Sequence, residues 1–332
     1  MDSLSQFLLG AAIGQAFFTK EQRFKAFIIG GMLATLPDLD VFLNPSENFV
    51  EQLKTHRGLS HSLLFCILAP FPAAFLCRFI KFIKLPYWKS ILFFFLVFST
   101  HVFLDVLTSW GTQIFWPHPA RISLDSLFII DPLVTLPLLM GCLAQLMLSK
   151  QRFVYIGLFS CFFYCFFAIS MHASMTKLFK GAFSKRNIPI EAILVRPTPF
   201  NTLFWSATVI SNDQLITSHA RIWDREKNIT FSKPLARNSH KLTLFKTLKD
   251  ADFLLNLSRG FYVLDSDNFI IHDARFDNLG SWLYPLDPIF VFNYHYSNTS
   301  QHWTQVRPEI NNIQSLLSSL FSRIFSKHPS QF

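Results

Sequence analysis

Six apolar stretches occupy the first half of this 332-residue chain and constrain its fold more than any other feature. They cover residues 4–18, 24–36, 62–77, 88–107, 127–148 and 153–171. Hydrocarbon offers no hydrogen-bond partners to the backbone, so apolar segments in a membrane fold as helices. Residues 1–175 are therefore predicted to be an all-α helical transmembrane domain.

The six stretches differ in length. The fourth, fifth and sixth come close to the ~20 residues of an upright span. The first two are shorter, and we expect them to form a tight helical hairpin shielded by protein. The small residues Gly10 and Gly14 are four apart, a spacing that lets helix backbones approach closely. Pro70 and Pro72 interrupt the third stretch.

The second half of the chain has the pattern of a small soluble α+β domain, residues 185–332. Alternating or β-branched runs bounded by turn residues predict strands, and a one-sided apolar pattern predicts helices. The expected strands are 190–195, 203–210, 214–223, 261–264, 269–274 and 289–296, and the expected helices are 244–257 and 309–325.

The net charge of +9 does not indicate nucleic-acid binding. Basic residues gather in short loops between the apolar stretches, at 19–25, 78–89 and 149–152, as in the cytoplasmic loops of membrane proteins. If all six stretches cross, these loops share one side, and the other side holds loops 37–61 and 108–126 and the C-terminal domain. The basic residues just after the sixth stretch argue against this assignment, although long polar domains translocate largely regardless of charge.

Clusters of ionisable residues follow or end the apolar stretches, all on the face opposite the basic loops. Such groups are costly near hydrocarbon and usually functional. Imidazole and carboxylate are also the ligands that zinc and manganese bind. We therefore predict a divalent metal site, with Zn²⁺ favoured and Mn²⁺ as the alternative. The predicted ligands are Asp38, His56, His61, His101 and Asp105.

The spacing within two clusters leaves alternatives open. His101 and Asp105 are four apart on one helix, about 40° apart around its axis, so both can reach one ion or form a helix-stabilising pair. His56 and His61 are five apart, which suits no single helix face. A break at Gly58 with Ser60 as helix cap would bring both to the site. Alternatively, one histidine binds the ion and the other only hydrogen-bonds.

Two further residues are predicted to act in catalysis. Asp38 and Asp40 point in different directions, so each could bind an ion, or Asp38 could be a ligand and Asp40 the candidate general base. Arg57 could bind an anionic substrate group or neutralise a nearby carboxylate. Asp125 could extend the acidic site or pair with a neighbouring arginine. Asp131 is expected to cap the helix ahead of Pro132.

Several motifs together resemble the YdjM-type family. They are Leu4-Ser5-Gln6, Gly10-Ala11-Ala12, and the segments LPDLD (36–40), HRGLSHS (56–62), HVFLDVLTSWGTQIFWP (101–117) and LFIIDP (127–132). Members of that family are described as LexA-regulated, membrane-bound, predicted metal-dependent hydrolases. The resemblance implies a multi-pass protein of the bacterial inner membrane whose Asp and His motifs form a metal centre.

The expected function is metal-dependent hydrolysis at the membrane surface, possible substrates being a lipid or another phosphoester. The expected partners are the lipid bilayer and a small or lipid-like substrate, with no nucleic acid. Serine and cysteine hydrolase motifs and phosphate-binding glycine loops are absent from the sequence. The alternatives are a membrane transporter and a metal-stabilised scaffold without catalysis.

Overall fold

The computed structural model describes residues 1–42, 48–79, 85–278, 281–282, 289–309 and 313–325. The chain divides into two compact units. The first consists mainly of residues 1–42 and Gln52–Ser170, and the second of Met171–Thr198 and the residues from Thr202 onward. Lys81 and Lys84, two of the basic loop residues, lie outside the described residues, as do residues 310–312 of the last predicted helix.

Helices build the first unit, as predicted. They are α1 (Ser3–Phe17), α2 (Arg23–Thr35), α3 (Phe49–Thr55), α4 (Leu63–Leu68), α5 (Pro70–Cys77), α6 (Tyr87–Val106), α7 (Pro132–Leu148) and the start of α8 (Arg152–Lys185). Within the described residues, α6 and α8 are long and apolar enough to cross a membrane. The pair Phe49–Leu68 and Pro70–Cys77, bent by 69°, raises the number of candidate spans to three.

The fifth apolar stretch is a shorter helix than predicted. Its helical part, α7, begins at Pro132 rather than at residue 127 and has 17 residues. Asp131 accepts a hydrogen bond from the Leu133 backbone N–H at 3.0 Å and caps the helix, which confirms its predicted structural role. Proline at the first helical position needs no hydrogen-bond partner for its nitrogen, so the helix starts there.

Small residues let α1 and α2 pack with their backbones in contact. A Cβ atom added at Gly10 would lie 2.3 Å from the carbonyl oxygen of Gly30, and one added at Gly30 would lie 2.2 Å from that of Gly10. No side chain fits in such a gap. The predicted hairpin of the first two stretches is therefore held by direct backbone packing, the usual role of small residues between membrane helices.

Two short 3-10 helices, Leu36–Phe42 and Leu59–His61, flank α3. The predicted cap at Ser60 is wrong. Ser62 caps α4 instead, accepting a hydrogen bond from the Phe65 backbone N–H at 3.0 Å. His61 therefore ends a 3-10 turn rather than opening the third helix.

The second unit contains two antiparallel sheets. The first has the order β1-β2-β3-β4, with β5 also paired to β3, and the second has the order β6-β7-β8-β9. The strands of the first sheet are β1 (Ala192–Pro197), β2 (Phe204–Ser211), β3 (Gln214–Arg221), β4 (Thr230–Phe231) and β5 (Leu235–Ala236). Those of the second are β6 (Tyr262–Asp265), β7 (Ile270–Asn278), β8 (Phe290–Ser297) and β9 (His302–Val306).

In the described residues of this unit, the end of α8 is followed by three further α-helices: α9 (Leu242–Lys246), α10 (Ala251–Leu257) and α11 (Ile313–Phe325). The predicted single helix 244–257 is therefore wrong. Asp250, immediately before α10, has a positive φ of 64°, which a continuous right-handed helix cannot contain. The predicted strands are all present, whereas β4, β5 and β9 were not expected.

A buried ion pair lies in the second sheet. Arg275 Nη2 donates to Asp273 Oδ2 at 2.7 Å, and the Tyr294 hydroxyl donates to the same oxygen at 3.3 Å. The three side chains are almost fully buried. A buried charge is tolerated only when it is paired and hydrogen-bonded, so these groups depend on one another.

Candidate metal centre

The two 3-10 helices that flank α3, together with α6, carry five of the candidate site residues. Asp38 and Asp40 lie on the 3-10 helix Leu36–Phe42, and His61 ends the turn Leu59–His61. His101 and Asp105 lie one turn apart near the C-terminal end of α6. A 3-10 helix turns by about 120° per residue, so Asp38 and Asp40 leave it in different directions.

Four of these side chains converge on one point. One atom each from Asp38, His61, His101 and Asp105 lies within 4.8 Å of the other three. The two Nε2 atoms are 3.1 Å apart. Asp38 Oδ1 lies 3.2 Å from His61 Nε2 and 3.6 Å from His101 Nε2. Asp105 Oδ2 lies 3.3 Å and 3.6 Å from the same two nitrogens.

These distances suit tetrahedral coordination. Ligand bonds of about 2.0–2.1 Å in a tetrahedral zinc site place neighbouring donor atoms roughly 3.3–3.4 Å apart. The separation of the two nitrogens and those from each nitrogen to the two carboxylate oxygens, 3.1–3.6 Å, bracket that value. Two imidazole nitrogens and two carboxylate oxygens are also a donor set that zinc or manganese accepts. The cluster could hold a metal ion.

Hydrogen bonding alone does not account for the cluster. His61 Nε2 lies within 3.3 Å of three electron-rich atoms: His101 Nε2, Asp38 Oδ1 and Asp105 Oδ2. An imidazole nitrogen carries at most one proton, which cannot serve all three. Among the described residues, the buried Asp105 Oδ2 has no hydrogen-bond partner. A cation at the centre would satisfy every one of these atoms at once.

The cluster is buried except at one side chain. The side chains of His61 and Asp105 are 0% and 1% exposed, whereas Asp38 is 26% exposed. His56, close by, is 25% exposed. Of the four side chains in the cluster, only that of Asp38 is partly exposed. An open side is a feature of catalytic metal sites, whereas structural sites are closed.

Asp40 holds the segment around the cluster together. Its Oδ1 is 2.7 Å from His56 Nδ1, and its Oδ2 accepts from the Arg57 backbone N–H at 3.0 Å and from Ser60 Oγ at 2.7 Å. Ser60 Oγ is in turn 2.9 Å from His61 Nδ1. Burial raises the pKa of the Asp40 carboxyl, but the hydrogen bonds from the two histidines and Ser60 outweigh it and hold that pKa well below its usual range.

His56 and Arg57 lie beside the group of four rather than within it. His56 contacts Asp40, as described above. Arg57 Nη2 is 3.2 Å from Asp105 Oδ1, so it balances the charge of that carboxylate. The Met1 amino group contacts the same oxygen. Of the predicted ligands, the structure thus brings four together and places His56 against Asp40.

The sequence did not predict the contacts that two residues make near the site. Gln6 on α1 donates through Nε2 to Asp105 Oδ1 at 3.3 Å and to the His101 carbonyl oxygen at 3.2 Å. Arg121 donates through Nη2 to the Leu53 and His56 carbonyl oxygens, at 2.6 Å and 3.0 Å, and so anchors the end of α3. A glutamine inside an apolar stretch was the available signal for Gln6, because buried amides need partners.

The two remaining acidic candidates differ from the cluster. Asp131 caps α7 and also accepts a hydrogen bond from the Tyr164 hydroxyl at 2.8 Å. Asp125 has a positive φ of 48°, and Ser123 Oγ lies 3.4 Å from its Oδ1. Neither belongs to the group of four atoms that could hold an ion.

Comparison with known proteins gives one match. No curated protein and no solved structure matches the chain. The family model described as "YdjM inner membrane protein" matches residues 1–175, which include all the helices and turns that carry the cluster. That description and the candidate spans support a membrane protein. The chain belongs to the YdjM inner membrane protein family.

Proposed function

We propose that this protein is a metal-dependent hydrolase acting at the membrane surface. One observation carries the proposal: four donor atoms on three separate elements converge within 4.8 Å. We propose Asp38, His61, His101 and Asp105 as the ligands and Zn²⁺ as the ion, with Mn²⁺ as the alternative. When bound, such an ion polarises a substrate oxygen and lowers the pKa of water.

The surroundings of the cluster favour an enzyme over a scaffold. Buried carboxylates carry negative charge that a cation must balance. A metal ion would serve that purpose in an enzyme and in a scaffold alike. Only an enzyme needs an approach for substrate, and the 26% exposure of Asp38 supplies one. The partly exposed His56, hydrogen-bonded to Asp40, stands at the same opening and could exchange protons with solvent.

The position of the cluster along the helices favours surface chemistry over transport. Transporters bind their substrates near the bilayer midplane on broken helices. Here Asp105 lies in the last turn of α6, which ends at Val106, and the remaining ligands lie on short 3-10 turns. We therefore place the site at one face of the membrane, and the basic loops argue for the extracytoplasmic face.

Apolar side chains on the ligand-bearing turns support contact with lipid. Leu39, between the two aspartates, is 45% exposed, Phe42 is 75% exposed and Leu59 is 49% exposed. Exposed apolar groups beside a polar site mark a surface that meets another apolar phase. A lipid or lipid-linked ester, with its polar group at the metal and its chains in the bilayer, would fit this arrangement.

Asp40 was predicted as the general base, and a different task also fits its contacts. A carboxylate behind a metal-bound histidine fixes the orientation of the ring and raises its basicity. Asp40 Oδ2 lies 3.4 Å from His61 Nδ1 and shares Ser60 Oγ with it. We propose that Asp40 orients His61 and His56.

Metal analysis of the purified protein tests the proposal. We expect about one equivalent of zinc or manganese in the wild type and its loss in His101→Ala and Asp105→Ala. Asp252→Ala, an exposed carboxylate on α10, is the control and should retain the metal. Lipid and phosphoester substrates should be hydrolysed only by metal-loaded protein. Metal retained in both ligand variants would refute the ligand assignment, and full metal loading with no turnover would favour the scaffold.

A further inference from the structure

We propose that Arg57 is the group that binds the substrate, and that the substrate carries an anionic phosphoryl group. This inference rests on the proposed function, because it identifies what the metal-dependent site acts on.

The guanidinium of Arg57 is buried and incompletely paired. Its side chain is 8% exposed. Nη2 contacts Asp105 Oδ1 at 3.2 Å, whereas Nε and Nη1 have no hydrogen-bond partner within the described part of the chain. Buried donors are almost always satisfied, and leaving them unsatisfied is destabilising. A hydrogen-bond acceptor on the bound substrate would pair with Nε and Nη1.

The backbone of Arg57 is held in an unusual conformation. Its φ is +60°, which is uncommon for a residue other than glycine. The Arg57 N–H donates to Asp40 Oδ2 at 3.0 Å, and its carbonyl oxygen accepts from the Gln113 N–H at 3.1 Å. Conformations of this kind persist only where the surroundings fix them, and they concentrate at functional sites. Both hydrogen bonds fix Arg57 next to the cluster.

One substrate group can reach the cluster and the guanidinium together. Asp105 connects them, because its Oδ1 faces Arg57 and its Oδ2 faces His61 Nε2 at 3.3 Å. A group that contacts both must offer several anionic oxygens on one small centre. A phosphoryl group has this shape, and arginine binds it through parallel N–H donors. A carbonyl ester offers a single neutral acceptor.

The nature of arginine makes the prediction specific. Lysine would supply the same charge to Asp105, but not the planar arrangement of donors. If Arg57 only neutralised Asp105, Arg57→Lys would be a mild change. If Arg57 also binds a phosphoryl group, Arg57→Lys keeps the fold and the metal and loses affinity for that group.

Anion binding to the detergent-purified, metal-loaded full chain tests the inference. The probe is inorganic phosphate, measured by isothermal titration calorimetry, with metal content determined on the same samples. We expect Arg57→Gln to bind phosphate roughly 10–100-fold more weakly than the wild type, as for the loss of charge-assisted hydrogen bonds. Arg57→Lys should also bind it more weakly, with unchanged metal content. Arg78→Gln, the same charge change at an exposed position, should bind it as the wild type does.

Further titrations identify the source of the phosphoryl group. Acetate should bind much more weakly than phosphate. Tighter binding of a short-chain phosphatidate than of glycerol 3-phosphate would assign the site to a lipid headgroup, and equal binding would assign it to a soluble phosphoester.

Two results would overturn the inference: no phosphate binding to the wild type, or equally tight binding by the wild type and Arg57→Lys. Failure of the proposed function is a separate result. In that case the wild-type protein would contain no metal, whatever effect the Arg57 variants have on phosphate binding.

Discussion

Replacement of Asp40 by asparagine separates two roles of that carboxylate. The change keeps the shape of the side chain but replaces one acceptor oxygen by an N–H₂ group. In the wild type, both oxygens accept short hydrogen bonds, at 2.7 Å from His56 and at 2.7 Å and 3.0 Å from Ser60 and the Arg57 backbone. Asparagine cannot satisfy both sets of donors, so either His56 or the Ser60–Arg57 segment loses its acceptor.

The lost contacts leave the His61 ring less firmly oriented, because its Nδ1 lies 2.9 Å from Ser60 Oγ and 3.4 Å from Asp40 Oδ2. Replacing such a partner of a metal-bound histidine typically weakens metal binding by about 10–100-fold. We expect that loss for Asp40→Asn in a zinc competition titration against a chromophoric chelator. Asp252→Asn, which removes an exposed carboxylate, should leave the affinity unchanged.

A purely catalytic role for Asp40 predicts a different result for Asp40→Asn. If Asp40 were only a general base, Asp40→Asn would abolish hydrolysis and leave zinc affinity within twofold of the wild type. That result would refute the role in orienting His61 and restore the role predicted from the sequence.

Three other predictions concern the site and the two units. His56→Ala should keep the full metal content, determined by mass spectrometry, because the four converging atoms do not include His56; loss of the ion would make it a ligand. Gly30→Leu should lower the melting temperature strongly or prevent folding, because no side chain fits against Gly10, whereas Met32→Leu on the exposed face of α2 should not. Burial raises the pKa of the Tyr294 hydroxyl, so the folded state holds its proton longer than the unfolded state does. Stability should therefore be full below about pH 10 and fall above it, and alkaline unfolding of Tyr294→Phe should lack that contribution.

Helical periodicity allowed the sequence to predict which residues of one helix lie together at the site. Residues four apart on one helix face the same side, and the structure places both His101 and Asp105 in the cluster. The apolar stretches likewise predicted the helices of the first unit, because burial of the backbone requires them. The start of the helix in the fifth stretch was misplaced, because Pro132 and the capping Asp131 set it and hydropathy does not register either.

Asp38 was predicted to share a site with His61, His101 and Asp105, but the contacts of Asp40 with His56, Arg57 and Ser60 could not be predicted. Asp38 and Asp40 lie on a 3-10 helix, whose tighter turn directs Asp38 to the cluster that could hold an ion and Asp40 to His56. Spacing alone does not distinguish a 3-10 turn from the end of an α-helix. The contact of Gln6 with Asp105 joins residues 99 positions apart, and no local pattern records such a contact.

Short strands were missed for a similar reason. β4 and β5 have two residues each, too few for a recognisable alternation. β9 has polar residues at most positions, and it is a strand because it pairs with β8. Strands of this kind depend on their neighbours more than on their own sequence.

X-ray absorption spectroscopy of the purified protein tests the central claim most directly. We expect a zinc or manganese edge and a first shell of nitrogen and oxygen atoms at about 2.0–2.1 Å for zinc, with scattering from two imidazole rings. In His61→Ala and His101→Ala the metal should be absent or should show at most one imidazole ring. Protein that binds no divalent ion, or a first shell without imidazole, would contradict the account.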